Sequence, residues 1–269
     1  MPQLQLHEFR IPCAGVSRTT IYHFSDCHLA VSDPDATPDE VALADEKTAE
    51  FDECRRWFAD HCKEPFDPTY TAVDYFEAIL DRCRDGDAVL CAGDLVEAPT
   101  PATLRYIDRT TADLNFMTVL GNHEEADTIP DGYRFSAAKA PVQRLNLPAL
   151  TVLGFDDGQR IITPAQLDAL RQALTEEKPL VILLHIPFAV PENEAMLRGC
   201  GEYFRLNHDD CPTENEEFVR LITENSHRIV AVLAGHLHFN HTCPITPTLT
   251  QYVSSQGLTG HLNRYVIGE

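Results

Sequence analysis

Apolar runs of strand length recur along the chain: Thr20–Phe24, Ala88–Ala92, Phe116–Leu120, Leu150–Gly154, Leu180–Leu184, Ile229–Ala234, Gln251–Ser254 and Arg264–Ile267. Strands with one wet face alternate apolar and polar residues. Most of these runs are continuous, so they read as strands covered on both faces. Between them the period becomes helical. Thr71–Arg84 sets Val73, Phe76, Ile79 and Leu80 on one face. Pro101–Leu114 opens with proline in the first turn, where a helix tolerates it. Thr163-Pro164-Ala165-Gln166 offers an N-cap threonine, proline at N1 and glutamine at N3, a capping-box arrangement. Asn215–Asn225 gives another short helix. Strand and helix in alternation predict α/β layering, and on this pattern alone the strands would be parallel.

Two stretches break the rhythm. Residues 32–70 are acidic and punctuated by Pro34, Pro38, Pro65 and Pro68. Their middle, about Glu46–Cys62, fits a helix with Phe51, Cys54, Trp57 and Phe58 facing inward. Residues 189–213 are rich in Pro, Gly, Asn and Asp. Loops of this length in a compact domain are usually functional or disordered. Both leave the ends of strands that carry polar motifs. They are expected to form the walls of a substrate cleft, as insertions in a single domain spanning residues 1–269.

Composition narrows the partners. With 269 residues, 43% of them hydrophobic, the chain has ample material for a core. Its 42 acidic and 21 basic residues give a formal charge of −21. That argues against general binding of long nucleic acids or anionic membranes, which attract basic surfaces. It leaves room for a small anionic substrate, because bound cations can dominate the field inside a cleft. The first ten residues lack the basic and apolar regions of a signal peptide, and no run of 18 apolar residues exists. The nine cysteines are an odd, scattered set without a C-x-x-C pair. Free thiols in a reducing cytoplasm are therefore expected. Cys27 and Cys91 read as buried strand-end residues, and Cys200, Cys211 and Cys243 as loop residues.

Five short motifs follow strand ends: Asp26-Cys27-His28, Gly93-Asp94-Leu95-Val96-Glu97, Gly121-Asn122-His123-Glu124, His185, and Gly235-His236-Leu237-His238. In an extended segment residues i and i+2 point to the same side, so Asp26 with His28, and His236 with His238, can each grip one ion. Asp94 has two oxygens and can bridge two cations. Asn122 supplies a neutral oxygen. His123 suits a general acid for a leaving oxygen, and Glu97 could orient a histidine. His23 reads as core or sheet surface. Asp156-Asp157-Gly158 reads as a turn. Arg198, Arg205, His208 and His241 are weaker candidates for contacts to substrate. Two cations about 3.5–4 Å apart are a known device for in-line displacement at phosphorus. Sites in parallel α/β sheets form outside the carboxyl ends of strands, where all five motifs fall.

In this order and over Asp26–His238, the motifs resemble the calcineurin-like metallophosphoesterase superfamily, whose pattern is D-x-H, G-D-x-x-D/E, G-N-H-D/E, a lone H and G-H-x-H. The resemblance implies an α/β, four-layer α/β/β/α sandwich of two mixed β-sheets flanked by helices. That replaces the parallel sheet of the pattern reading. It implies two divalent metal ions, Mn, Fe, Zn or Ni. Asp26, His28, Asp94 and His238 would hold one, and Asp94, Asn122, His185 and His236 the other. A hydroxide between the metals would attack phosphorus in line, and His123 would assist the leaving group or stabilise the transition state. Family members often carry Asp where this chain has Glu97, which would pair with His123. Glu124 would orient or support. The expected partner is a small phosphorylated substrate, and the sequence leaves open a monoester, a diester, a pyrophosphate-linked nucleotide or, beyond small molecules, a phosphoprotein. A non-catalytic metal-binding scaffold of the same fold is the rival reading, and neither oligomeric state nor metal identity follows from the residues.

Overall fold

The computed structural model describes residues 1–62 and 66–269, so Pro65 of the first insertion lies outside the described residues. In chain order the elements are β1 (Gln5–Ile11), β2 (Thr19–Phe24), α1 (Pro38–Cys62), α2 (Ala72–Arg82), β3 (Ala88–Cys91), α3 (Pro101–Thr111), β4 (Phe116–Thr118), β5 (Val142–Asn146), β6 (Thr151–Phe155), α4 (Pro164–Leu174), β7 (Leu180–Leu183), α5 (Glu194–Cys200), α6 (Thr213–Glu224), β8 (Ile229–Ala234), β9 (His241–Thr246), β10 (Leu249–Val253) and β11 (His261–Ile267).

The strands form two mixed sheets, one of order β1-β11-β2-β3-β4 and one of order β5-β6-β7-β8-β10-β9. Strands β2, β3 and β4 run parallel, as do β6, β7 and β8. The pairs β11–β2, β5–β6 and β9–β10 are antiparallel, which makes both sheets mixed. The all-parallel expectation from patterning alone fails here, and the mixed sandwich implied by the resemblance is what the chain adopts.

The apolar runs are covered on both faces. Between the sheets, Ile21, Leu90 and Val119 share a core with Val152, Val181 and Leu233. The other face of the first sheet, with Tyr22, Phe24 and Val89, packs on Phe76 and Ile79 of α2 and on Leu104 and Ile107 of α3. The other face of the second sheet, with Leu153, Ile182 and Val232, packs on Leu167 and Leu170 of α4 and on Phe218 and Ile222 of α6. The result is four layers, helix, sheet, sheet and helix.

The helix starts follow from their caps. Thr163 and Gln166 exchange hydrogen bonds as a capping box, and Thr71 and Asp74 do the same at α2. Helix α1 is longer than the sequence indicates, beginning at Pro38 rather than near Glu46. Phe51 is buried along it, whereas Trp57 is 54% exposed and does not face inward as expected. Cys243 lies buried in β9, not in a loop, and Cys200 closes α5. Buried Cys27 and Cys91 pack as expected, and the eight described cysteines are free thiols. Among the described residues no helix is long and apolar enough to cross a membrane.

Candidate metal centre

The parallel strands β2, β3 and β4 of one sheet, and β7 and β8 of the other, all end at one edge of the sandwich. The loops that follow stay tied by backbone hydrogen bonds: Asp26 N donates to Gly93 O (3.0 Å), His28 N to Asp94 O (2.9 Å) and Gly235 N to His185 O (2.9 Å). The turns are tight and unusual. Among the described residues six non-glycine residues have left-handed backbone angles, and five of them are Asp26, His28, Asp94, His236 and His238. Such conformations cost roughly 1–3 kcal/mol each and persist where the surroundings enforce them. Glycines permit the crowding. A Cβ on Gly121 would meet Asp94 Oδ1 at 2.1 Å, and one on Gly93, itself at φ +85°, would meet His185 Nδ1 at 2.6 Å.

The side chains that converge come from both sheets. Asp26 Oδ1 lies 3.2 Å from His238 Nε2, and His28 Nε2 lies 3.4 Å from the same atom. Asp94 Oδ2 is 3.3 Å from His185 Nε2 and 3.9 Å from His28 Nε2, which places it between the two groups. His185 Nε2 is also 3.0 Å from Asn122 Oδ1. Ligand atoms of Asp94, His185 and His236 all lie within 4.8 Å of one another, as do those of Asp26, His28 and His238.

Proton bookkeeping shows what these clusters fit. His185 Nδ1 donates to Ala92 O at 2.7 Å, so in the neutral ring Nε2 carries a lone pair. That lone pair meets two oxygens, Asn122 Oδ1 and Asp94 Oδ2, and the carboxylate brings no proton of its own. His28 Nδ1 lies 3.2 Å from Glu97 Oε2, which turns its Nε2 lone pair toward His238. Acceptors aimed at acceptors are held together either by protons or by cations. The side chains on their own use protons. Burial opposes charge on His185, yet Asp94 pushes its pKa up to about 10. Burial would raise Asp26 and Asp94, but His238 holds the first down at about 2 and His185 holds the second well below the carboxylate range. Burial pushes His236 down to about 3. Mixed imidazole, carboxylate and amide donors suit divalent transition metals, and binding would displace the bridging protons.

A third group, His28, Glu97 and His123, also meets within ligand distance. Hydrogen bonds account for it. Glu97 Oε2 accepts from His28 Nδ1 and, at 3.0 Å, from His123 Nδ1. Burial would raise Glu97, but these contacts hold it at about 2. His123 is 39% exposed and lines a cleft of about 410 Å³. Burial lowers the pKa of His123, and the bond to Glu97 with the Asp94 charge more than restores it.

Two buried carboxylates hold the loops. Glu124 accepts from Gly121 N (2.8 Å), Asp94 N (3.1 Å) and Val96 N (2.8 Å), joining two motifs. Asp157 accepts from His185 N (2.7 Å) and Ile186 N (3.0 Å). Burial pushes Glu124 up to about 8, with the Asp94 charge adding to it, and pushes Asp157 up to about 7. The turn reading of Asp156-Asp157-Gly158 misses this role. The one sequence signal for it is the following glycine, where a Cβ would meet Gly121 O at 2.3 Å.

The weaker candidates lie elsewhere. Arg198 pairs with Glu194 and Asp209, and buried Arg205 with Glu202 and Asp209. His208 is half-buried in the second insertion, His241 begins β9, and His23 is fully buried beside Tyr265.

A mixed sandwich whose ligand turns cluster at one edge is the architecture of a metal-dependent phosphoesterase. Residues 19–240 match the calcineurin-like phosphoesterase family, and the chain belongs to it, a hydrolase acting on phosphoester bonds. The fold is similar to that of a dimetal phosphatase from Danio rerio, with 11% identity, coverage of 90% of this chain and 88% of that one, and a TM-score of 0.57. It is also similar to a Thermus thermophilus protein, TT1561, at 12% identity, 90% and 91% coverage and a TM-score of 0.47. A 5'-nucleotidase precursor from the same organism matches at 13% identity and a TM-score of 0.46, covering 90% of this chain and 50% of that one. No similar sequence was found among curated proteins.

Proposed function

We propose that the chain hydrolyses small phosphoesters with two divalent cations, one held by Asp26, His28, Asp94 and His238 and the other by Asp94, Asn122, His185 and His236. The observation that supports this most is the inward convergence of donor atoms whose protons are already committed elsewhere: Nδ1 of His185 to Ala92 O and Nδ1 of His28 to Glu97. When bound, the cation pair supplies an electrophilic anchor for the phosphoryl group and a water acidified toward neutrality as nucleophile.

The chain's own groups do the rest. Asp94 lies between the two ligand groups, and its Oδ1 accepts from His123 N at 3.0 Å, which ties the acid to the ligand cluster. Glu97 keeps the Nδ1 proton of His123 in place, which leaves Nε2 to present a proton to the departing oxygen. The half-exposed setting of His123 on the cleft gives it access to a leaving group that the buried ligands lack. The two insertions are the walls of the cleft through which substrate enters.

The test is hydrolysis of bis(p-nitrophenyl) phosphate and of p-nitrophenyl phosphate by chelator-stripped protein, with and without Mn²⁺. Turnover that appears only with metal is the expected result, and the preferred ester separates diesterase from monoesterase action. His123→Gln should lower turnover about 10²–10⁴-fold while metal content stays at two per chain. A loss under tenfold removes His123 from its role, and two metals bound without any turnover favour the scaffold reading.

A further inference from the structure

The cleft above the candidate centre has a composition that ligation does not explain. Trp57 and Phe58 enter it from α1, Tyr203 and Phe204 from the turn after α5, and Leu237 and Phe239 from the loop after β8. The chain exposes five large hydrophobic side chains among its described residues, and two of them, Trp57 at 54% and Tyr203 at 45%, are at this cleft. Exposed aromatic side chains gathered at one concave site mark a place where something apolar is received.

The aromatic rings are fixed against the ligand histidines. Phe58 lies 4.8 Å from the His238 ring, while Tyr203 and Phe204 lie 5.3 and 5.1 Å from the His236 ring. Each insertion therefore packs on a different histidine of the last motif. Trp57 stands edge-on to Phe58 at 87° and is stacked on His61 at 4.2 Å, which restricts its ring. No lysine or arginine is among the described residues that line the cleft, and the only carboxylate there is Asp94. Arg160 sits over the Tyr203 ring at 5.1 Å without lining the cleft. Lys47 faces Glu97 at 3.5 Å. Beyond the centre itself, the walls thus offer π faces and almost no cationic groups, on a chain of charge −21.

From this we infer that the leaving group of the substrate is an uncharged aromatic moiety, seated between Trp57 and Phe58 on one side and Tyr203 and Phe204 on the other. The inference rests on the phosphoesterase reading above and specifies its substrate class. A single phosphoryl group would meet the centre, and His123, on the same cleft, would face the ester oxygen that joins it to the ring system. Polyphosphates and acidic phosphoproteins are disfavoured, because no lysine or arginine among the described lining residues is placed to neutralise their further charges. Stacking of a ring on an aromatic side chain contributes roughly 1–3 kcal/mol.

The experiment compares benzyl phosphate with n-butyl phosphate, whose alcohols are of similar acidity, in the metal-loaded full-length protein. It adds binding of benzylphosphonate and n-butylphosphonate, followed by fluorescence of Trp57, the only tryptophan in the chain. The expected kcat/KM ratio is about tenfold or more in favour of benzyl, equivalent to about 1.4 kcal/mol. Trp57→Ala together with Tyr203→Ala should bring the ratio close to one, and Trp57→Phe should keep most of it. Both positions are partly exposed, and because Tyr203 also packs on His236, the metal content of the double variant is measured beside its turnover. Equal turnover of the two esters, or a preference untouched by the double substitution, overturns the inference while leaving the phosphoesterase reading intact. Turnover of neither ester, with benzylphosphonate alone changing Trp57 emission, supports the aromatic subsite and removes phosphomonoesters from the proposed function. No turnover and no change in emission overturns the inference, and the diester assay above then decides the phosphoesterase reading separately.

Discussion

Each candidate ligand owes its position to a neighbour on another loop. His185 is turned by Ala92 O, His28 by Glu97, and the backbone of His236 by Asp26 Oδ2 at 3.1 Å. Glu97 is the most connected of these, since it touches His28, His123 and Lys47. It gives a test of stability against pH. Its folded pKa of about 2 lies below the ordinary 4.5, so its contribution is fully present above about pH 4.5 and lost as pH falls toward 2. Glu97→Gln should therefore destabilise the metal-free protein by about 1–3 kcal/mol at pH 7 and by almost nothing near pH 2. Urea unfolding at the two pH values measures it, and an equal loss at both would mean that charge is not what Glu97 contributes. The candidate ligand residues stood out in the sequence because residue type and spacing coincide at five strand ends, three of them with a preceding glycine. Asp157 was not, because a carboxylate in Asp-Asp-Gly has the composition of any surface turn. Only the fold buries it under His185.

Among the elements, legibility followed burial. The eight strands read from the sequence correspond to β2, β3, β4, β6, β7, β8, β10 and β11. The three that escaped, β1, β5 and β9, are all at the edge of a sheet, where half-exposed residues such as those of Gln5–Ile11 break the apolar run. Helix α1 was half-seen, because its apolar residues serve the centre and not a broad core: Phe51 stacks on His28 at 4.1 Å, and Phe58 faces His238. The loops after β3, β4 and β6 depend on Glu124 and Asp157. Replacing either carboxylate by alanine leaves buried N–H groups without acceptors, two for Asp157 and three for Glu124. Each variant should bind Mn²⁺ about 10–100-fold more weakly by calorimetry. Unchanged affinity would show that the loops hold their shape without these groups.

At the scale of the molecule, Asp26, His28, Asp94, Asn122 and His123 ride on one sheet, and His185, His236 and His238 on the other. The distance between the sheets therefore enters the geometry of the centre. Gly154 of β6 sits where a Cβ would meet Val119 Cγ1 of the opposite sheet at 2.8 Å. Gly154→Val should wedge the sheets apart, costing about 1–3 kcal/mol of stability. It should also weaken metal binding, and retained affinity with lowered stability would uncouple spacing from ligation.

The same geometry gives the proposed cations a second consequence. Each of them would draw ligands from both sheets, in a chain whose eight described cysteines form no disulfide. An ion anchored in two layers acts as a removable cross-link. It binds the folded arrangement and not the unfolded chain, so free ligand shifts the folding equilibrium by mass action. Chelation should then lower the melting temperature by several degrees, and the loss should be reversed by Mn²⁺. In such a molecule the supply of metal would govern how long the chain survives as well as how fast it turns over.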